Sequence, residues 1–233
     1  SVISGLSDGT VTVTASVTDA AGNTGNGSHD VTVDTGLPSV NFNAISGDNV
    51  LNAVEKGQDL SVSGTSANLA EGTVVTVTLN GKNYTATTAA DGTWSLTVPA
   101  ADLAGLGQAN YTLNATATNG VGNSVSNTAN LLVDTALPTV TINTVAGDDV
   151  INIAEHGQAH IISGTATGAA AGDKVTVTIG GQTYTTVLDA AGNWSVGVPA
   201  SVISGLSDGT VTVTASVTDA AGNTGSGTHS VTV

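Results

Sequence analysis

The sequence has no cysteine, no methionine and no arginine, and three lysines are its only strongly basic residues. Each absence removes a class of function. Without cysteine there are no disulfide staples, no zinc–thiolate sites and no thiol nucleophile. Three basic residues against 18 Asp and Glu leave a net charge of −15. That charge excludes nucleic-acid binding and attraction to an anionic membrane, both of which need a basic footprint. No apolar run approaches the roughly 18 residues of a membrane-spanning helix, so no membrane insertion is expected. Two Trp, three Tyr and one Phe are too few to build the interior, so the core must come from Val, Ile, Leu and Ala. Charged residues are only 9% of the chain and nearly all are acids. Where the acids fall is therefore the main functional question.

What is abundant is Thr, Val, Ala, Gly, Asn and Ser, a mixture that favours strands joined by turns. It is arranged with a period of 100 residues. Residues 1–33 return as 201–233 with three changes, Asn26/Ser226, Ser28/Thr228 and Asp30/Ser230. The sequence reads as a window from a longer tandem array, with neither an initial Met nor a signal-peptide pattern at its start. Three segments are expected: 1–33, the end of one repeat; 34–133, a whole repeat; and 134–233, another. Both whole repeats open on Val-Asp-Thr-x-Leu-Pro-x-Val, at Val33–Val40 and Val133–Val140. Its proline suits a stiff linker and cannot occupy a central strand.

Within 34–133, period-2 alternation predicts seven short strands. A covers about 39–45, B 60–66, C 74–79, D 83–88, E 93–98, F 111–118 and G 125–133. Asn80-Gly81 predicts a tight C–D hairpin, replaced by Gly180-Gly181 one period on. Residues 100–107 predict a single helical turn between E and F, with 202–206 as the counterpart. Seven strands in about 100 residues, punctuated every 8–12, predict an all-β chain of tandem immunoglobulin-like sandwiches forming an elongated rod. Residues 1–33 carry only F and G, and two strands alone are marginally stable.

Strand alternation also sorts the aromatic residues. Trp94 and Trp194 fall in step with Leu96/Val196 and Val98/Val198, so they belong to the core rather than to a sugar-binding platform. Tyr84 and Tyr184 are expected to be partly buried. His29, His156, His160 and His229 share no metal-ligand spacing and read as surface residues. No nucleophile elbow or phosphate loop is present, so no enzyme activity is expected.

The topology places the acids. With strands alternating in direction, loops A–B, C–D and E–F and the exit linker lie at one end of a sandwich. Loops B–C, D–E and F–G lie at the other. Where 34–133 meets 134–233, one end supplies Asp48, Glu55 and the linker Asp134, and the other supplies Asp173, Asp189 and Asp219. Six carboxylates are expected to converge there against Lys56 and Lys174. So much like charge calls for a cation. Calcium takes six to eight oxygens of the kind that Asp/Asn/Gly loops supply, whereas zinc prefers His or Cys. The preceding junction would use Asp34, Glu71, Asp91 and Asn119. The A–B loop of the last repeat, with Asp148, Asp149 and Glu155, would face a further repeat. Asp and Asn also occur in loops simply because they make turns, and Asp91-Gly92 reads as a turn first. Asp59 and Asp102 read as turn or cap residues.

Several phrases resemble a known family. VDTALPTV (133–140), SGDNVLNAVEKG (46–57), AGDDVINIAEHG (146–157), DAAGNWSVGVPA (189–200) and VTASVTDAAGNTG (213–225) are similar to the bacterial immunoglobulin-like repeats of giant type I-secreted, non-fimbrial adhesins. The resemblance spans the whole chain. It implies a secreted protein on the surface of a Gram-negative bacterium, dozens of repeats, and calcium at the junctions between neighbouring repeats. It also implies that the repeats carry a distal domain which meets a host surface or glycan. The family pattern Asp-x-Asp-Gly-x-Trp is split here, with Asp91 keeping its second Asp and Asp189 its first. Asn119 stands where the next repeat has Asp219. Two other readings stay open: the repeats themselves bind glycan or host protein, or they are accessory domains of a secreted enzyme.

Overall fold

The computed structural model describes residues 5–233. A first pair of strands, β1 (Gly9–Thr18) and β2 (Thr24–Val33), forms a two-stranded antiparallel sheet. Its register runs from Gly9↔Val33 to Thr18↔Thr24. Almost every residue in it is exposed, because among the described residues no second sheet covers either face of the hairpin.

The first sandwich contains two sheets. β3 (Ser39–Phe42), β5 (Leu60–Ala67) and β8 (Thr93–Val98) form one. The other has the order β4-β10-β9-β6-β7, comprising β4 (Val50–Leu51), β6 (Val74–Leu79), β7 (Lys82–Thr87), β9 (Ala109–Thr118) and β10 (Ser124–Val133). A short helix α1 (Ala100–Leu103) follows β8 and starts directly after Pro99, where a missing N–H costs nothing. The Asp59 carboxylate accepts the Ala100 N–H at 2.8 Å, capping that turn from a distant loop.

The second sandwich repeats this plan. β11 (Thr139–Ile142), β12 (His160–Thr167) and β15 (Asn193–Val198) form one sheet. β14 (Gln182–Val187), β13 (Lys174–Ile179), β16 (Thr210–Thr218) and β17 (Thr224–Thr232) form the other, in that order. Helix α2 (Ala200–Ile203) matches α1. Alternation governs burial here. On β16, Val213, Ala215 and Val217 are buried, Thr214 and Ser216 between them are half-buried, and Thr212 and Thr218 are exposed. Val140, Ile162, Val177, Trp194, Val198 and Ile203 sit in one hydrophobic cluster. The C–D hairpins turn on left-handed residues, Asn80 (φ 48°) with Gly81 (φ 77°) and Gly180 (φ 54°) with Gly181 (φ 76°), as the expected primed turns require.

One strand differs from expectation. Strand A ends at Phe42 rather than continuing to 45, and the chain then crosses to the other sheet. There β4 pairs in parallel with the end of β10, Val50 with Leu132 and Leu51 with Val133. Left-handed backbone at Ser46 (φ 57°), Gly47 (φ 95°) and Asn49 (φ 67°) makes the crossing. The next repeat does the same through Ala146, Gly147 and Asp149, and there only an isolated bridge from Val150 to Thr232 remains. Two residues are too few to show a period, so β4 was invisible to the pattern.

By density of contacts the chain divides into two compact units. One is Ser1–Asp48, Ser61–Val98 and Tyr111–Leu131; the other is Asn49–Leu60, Pro99–Asn110 and Leu132–Val233. The division does not fall at the linker. The loops at one end of the first sandwich belong to the same unit as the whole of the second.

Candidate metal and junction site

The acidic loops are built as local turns. In the F–G loop of the second sandwich, Asp219 Oδ1 accepts the N–H groups of Ala221 at 2.9 Å and Asn223 at 2.8 Å. Gly222 completes the loop at φ 87°. Asp189 repeats the arrangement in the D–E loop, accepting from Ala191 N and Asn193 N, both at 2.8 Å. Those hydrogen bonds to Asn193, backbone first and then side chain, hold the Asp189 carboxyl below the usual carboxylate range. Asp91 bonds Thr93 through both its hydroxyl and its N–H, which lowers its pKa in the same way. Asp173 Oδ2 accepts Ala170 N at 2.7 Å and Asp148 Oδ1 accepts Val150 N at 3.1 Å. Glu55 and Glu155 each accept the N–H of the Asn three residues earlier, at 3.0 and 3.1 Å.

The linkers are tied down by main-chain and amide groups. In the second unit, Asp134 N donates to Leu51 O at 3.1 Å, and Asp134 O accepts from Asn223 Nδ2 at 3.0 Å. The Asp134 carboxylate accepts Ala136 N at 3.1 Å. In the first unit, Asp34 Oδ2 accepts from Asn119 Nδ2 at 3.2 Å and Asp34 O accepts from Asn123 Nδ2 at 3.1 Å. Asp8 holds Thr35 through its N–H and its hydroxyl, and these bonds lower the Asp8 pKa. The two linkers therefore differ in where their acids sit: upstream the second acid is Asp8, on Thr35, and not the F–G loop residue. Beside Asp34 stands a neutral amide, Asn119, whereas the matching position near Asp134 is the acid Asp219.

The donor set is oxygen throughout, which suits a hard cation. Among the described residues, however, no group of three or more His, Asp or Glu stands close enough together to hold a metal ion. The reason is local: these carboxylates are turned back onto the N–H groups of their own loops. Lys56 likewise donates to the carbonyl of Leu106.

The histidines correct the expectation of plain surface residues. His156 and His160 are half-buried and reach the carbonyls of Leu206 at 3.1 Å and Glu155 at 3.0 Å. His229 on β17 meets the Asp149 carboxylate at 2.7 Å. Its counterpart in the first pair of strands, His29, is exposed. The Asp149 pKa is lowered, first by the hydrogen bond from Val145 N and then by His229. A carboxyl with a lowered native pKa stabilises the fold above its unfolded value and loses that contribution as pH falls through its native one. Unfolding of the second sandwich should therefore grow easier below about pH 4. Asp149→Asn, which takes the residue found at Asn49, should flatten that acid dependence in urea titrations. An unchanged slope would remove Asp149 from the acid response.

The model of the bacterial Ig-like domain matches residues 39–135 and again 137–233. The chain belongs to the bacterial Ig-like domain family. These bacterial Ig-like repeats are also similar to solved structures. One is a Ca2+-stabilised adhesin with which an Antarctic bacterium reaches out and binds ice. It is 39% identical over 96% of this chain and 56% of that one, with a TM-score of 0.58. Another comes from a 1.5-MDa bacterial ice-binding adhesin, in work on host cell surface retention. It is 36% identical over 98% of this chain and 75% of that one, with a TM-score of 0.56. The chain thus spans little more than half the length of the first of these. A comparison with curated proteins gives no match.

The bacterial Ig-like repeats keep their tryptophans inside. Trp94 and Trp194 are 2% and 3% exposed, and Tyr84 and Tyr184 are half-buried. No helix among the described residues is long and apolar enough to cross a membrane.

Proposed function

We propose that these repeats are calcium-stiffened stalk modules of a giant adhesin. They would hold a distal host- or surface-binding domain away from a Gram-negative cell after type I secretion. The sequence resemblance points most closely to the giant non-fimbrial adhesin of Salmonella. In this reading 34–133 and 134–233 are whole modules and 1–33 is the end of the one before. The rod is their head-to-tail series, and the neighbouring repeats are each other's first partners. The observation that carries the proposal is the likeness, over 96% of the chain, to an adhesin described as Ca2+-stabilised. The oxygen-only acidic loops beside the linkers support it. The glycan-binding reading loses its footing because it needs exposed aromatics, and both tryptophans are buried.

Calcium would draw on Asp134 and Asp219, with Asp48, Glu55, Asp173 and Asp189 around them. The upstream linker would use Asp34 and Asp91, and a following repeat would meet Asp148 and Glu155. Each carboxylate that accepts a loop N–H keeps further lone pairs for an ion, so the turns can stand as they are while calcium binds. Open, solvent-facing loops of this kind accord with the weak affinities of extracellular calcium modules, about 10⁻⁴–10⁻³ M. Asn119 puts a neutral amide beside Asp34 where the other linker has the Asp219 carboxylate, so the upstream site should bind the more weakly of the two.

The test is Asp134→Ala, read by calcium titration with small-angle scattering. Calcium affinity should fall about ten-fold or more, at least the loss that changing an outer-shell partner of a metal ligand brings. The angle between modules should broaden while each module stays folded. If adding calcium to the wild type changes neither stoichiometry nor stiffness, the acids are turn formers only.

A further inference from the structure

Asn223 is one of two buried polar side chains among the described residues, at 2% exposure. Both ends of its amide are used, and on partners far away in sequence. Oδ1 accepts the Ala53 N–H at 2.8 Å, and Nδ2 donates to the Asp134 carbonyl at 3.0 Å. Its own N–H is held by Asp219 Oδ1 at 2.8 Å. All of these residues lie in the second compact unit. The side chain therefore joins an F–G loop, the A–B loop of the preceding repeat, and the linker between them.

We infer that Asn223 is a latch which docks one repeat on the next without a metal ion, and that the loop Asn52–Glu55 is its socket. An amide is the group the geometry demands. It must accept from an N–H at one end and donate to a carbonyl at the other, whereas a carboxylate can only accept. The socket is preformed, since Asn52 Oδ1 accepts the N–H groups of Val54 and Glu55, both at 3.0 Å, and Glu55 returns a bond to Asn52 N. Those bonds fold the loop so that the Ala53 N–H points outward to the latch. Gly222 lets the F–G loop approach, as a Cβ there would lie 3.2 Å from Asn52 Nδ2.

The chain contains its own controls. Asn123 occupies the same place in the F–G loop of the first sandwich and donates to the Asp34 carbonyl, but among the described residues no A–B loop meets it. There Asn123 is only half-buried, and Val121 is 48% exposed where Ala221 is 6%. The complementary case is the loop Asn152–Glu155. It has the same internal bonds, from Ala154 N to Asn152 Oδ1 at 2.9 Å and from Asn152 N to Glu155 at 3.1 Å. Ile153 at its tip is 97% exposed. Among the described residues no F–G loop meets it, and the partner it fits is an F–G loop of the form Asp-x-x-Gly-Asn, as at Asp219–Asn223.

Amide hydrogen exchange by NMR on the 233-residue chain in excess chelator tests the latch directly. After correction for intrinsic rates, the Ala53 amide should exchange about ten-fold more slowly than that of Ile153, as one buried hydrogen bond implies. Asn223→Ala should bring Ala53 to the Ile153 rate while core amides such as Ile162 stay protected. Asn223→Asp keeps the acceptor and loses the donor, so it should fall between. Equal Ala53 and Ile153 rates in the wild type, or unchanged Ala53 protection in Asn223→Ala, would overturn the latch. Should Asn223→Ala also loosen the core, the wild-type Ala53/Ile153 ratio decides alone. Calcium stiffening is separable from the latch. Ala53 protection in chelator, with scattering indifferent to calcium, supports the latch and rejects stiffening. Protection that appears only with calcium does the reverse.

Discussion

Replacing Trp194 by alanine should lower the stability of the second sandwich by about 3–5 kcal/mol, the usual cost of truncating a buried aromatic. Trp194 is 3% exposed on β15 and lies opposite Gly164 of β12. It belongs to the cluster that contains Val140, Ile162 and Val213. With so few aromatics in the chain, no neighbour is large enough to fill the space. Against a total of about 5–15 kcal/mol for a typical domain, the loss is a large share. The indole N–H refines the expectation. Trp194 Nε1 is buried with no partner, whereas Trp94 Nε1 donates to the Thr65 carbonyl at 3.3 Å. Phenylalanine removes an unsatisfied donor at 194 but breaks a hydrogen bond at 94. Trp94→Phe should therefore cost about 1 kcal/mol more than Trp194→Phe. Urea unfolding followed by circular dichroism measures both. A loss below about half a kcal/mol for Trp194→Ala would mean the ring is not part of the core.

The sequence showed the sheets because burial on one face imposes period-2 alternation. The strands from B to G fall within two residues of their expected bounds, and both tryptophans face the core. Strand A was read too long. After Phe42 the chain crosses sheets on left-handed Ser46, Gly47 and Asn49, and such a crossing leaves no periodic mark. The site was less legible. Topology identified which loops share an end, and the A–B loop and linker do meet the F–G loop at Asn223. The pattern could not show where each carboxylate points. Asp173, Asp189 and Asp219 each accept an N–H of their own loop, a contact too local for the placing of loops at one end to reveal. The two amides that hold the linker carbonyls, Asn123 and Asn223, carry no charge and so stand outside any pattern of acids. Their recurrence in Gly-Asn at the end of every F–G loop was the signal that could have found them.

Gly164→Ala is expected to be nearly as damaging as loss of the tryptophan, for the opposite reason. A Cβ at 164 would lie 1.9 Å from the Thr141 carbonyl oxygen and 2.6 Å from Trp194 Cζ2. Gly64 is in the same position in the first sandwich, 1.8 Å from Asn41 O and 2.4 Å from Trp94 Cζ2. One contact is with backbone and the other with a large buried ring, so neither can give way cheaply. β11 pairs with β12 at Ile142↔Gly164, and β12 pairs with β15 at Gly164↔Trp194. A methyl group must therefore spread the middle of a three-stranded sheet. The cost should reach about 3 kcal/mol, the top of the ordinary overpacking range. A double-mutant cycle with Trp194→Phe separates the two clashes. Phenylalanine removes the Cζ2 and Cε2 atoms but leaves the Thr141 carbonyl, the nearer obstacle. The second change should thus recover less than half of the loss. Full recovery would show that the glycine serves the indole alone, and a neutral Gly164→Ala would show that β11 is free to move away from β12.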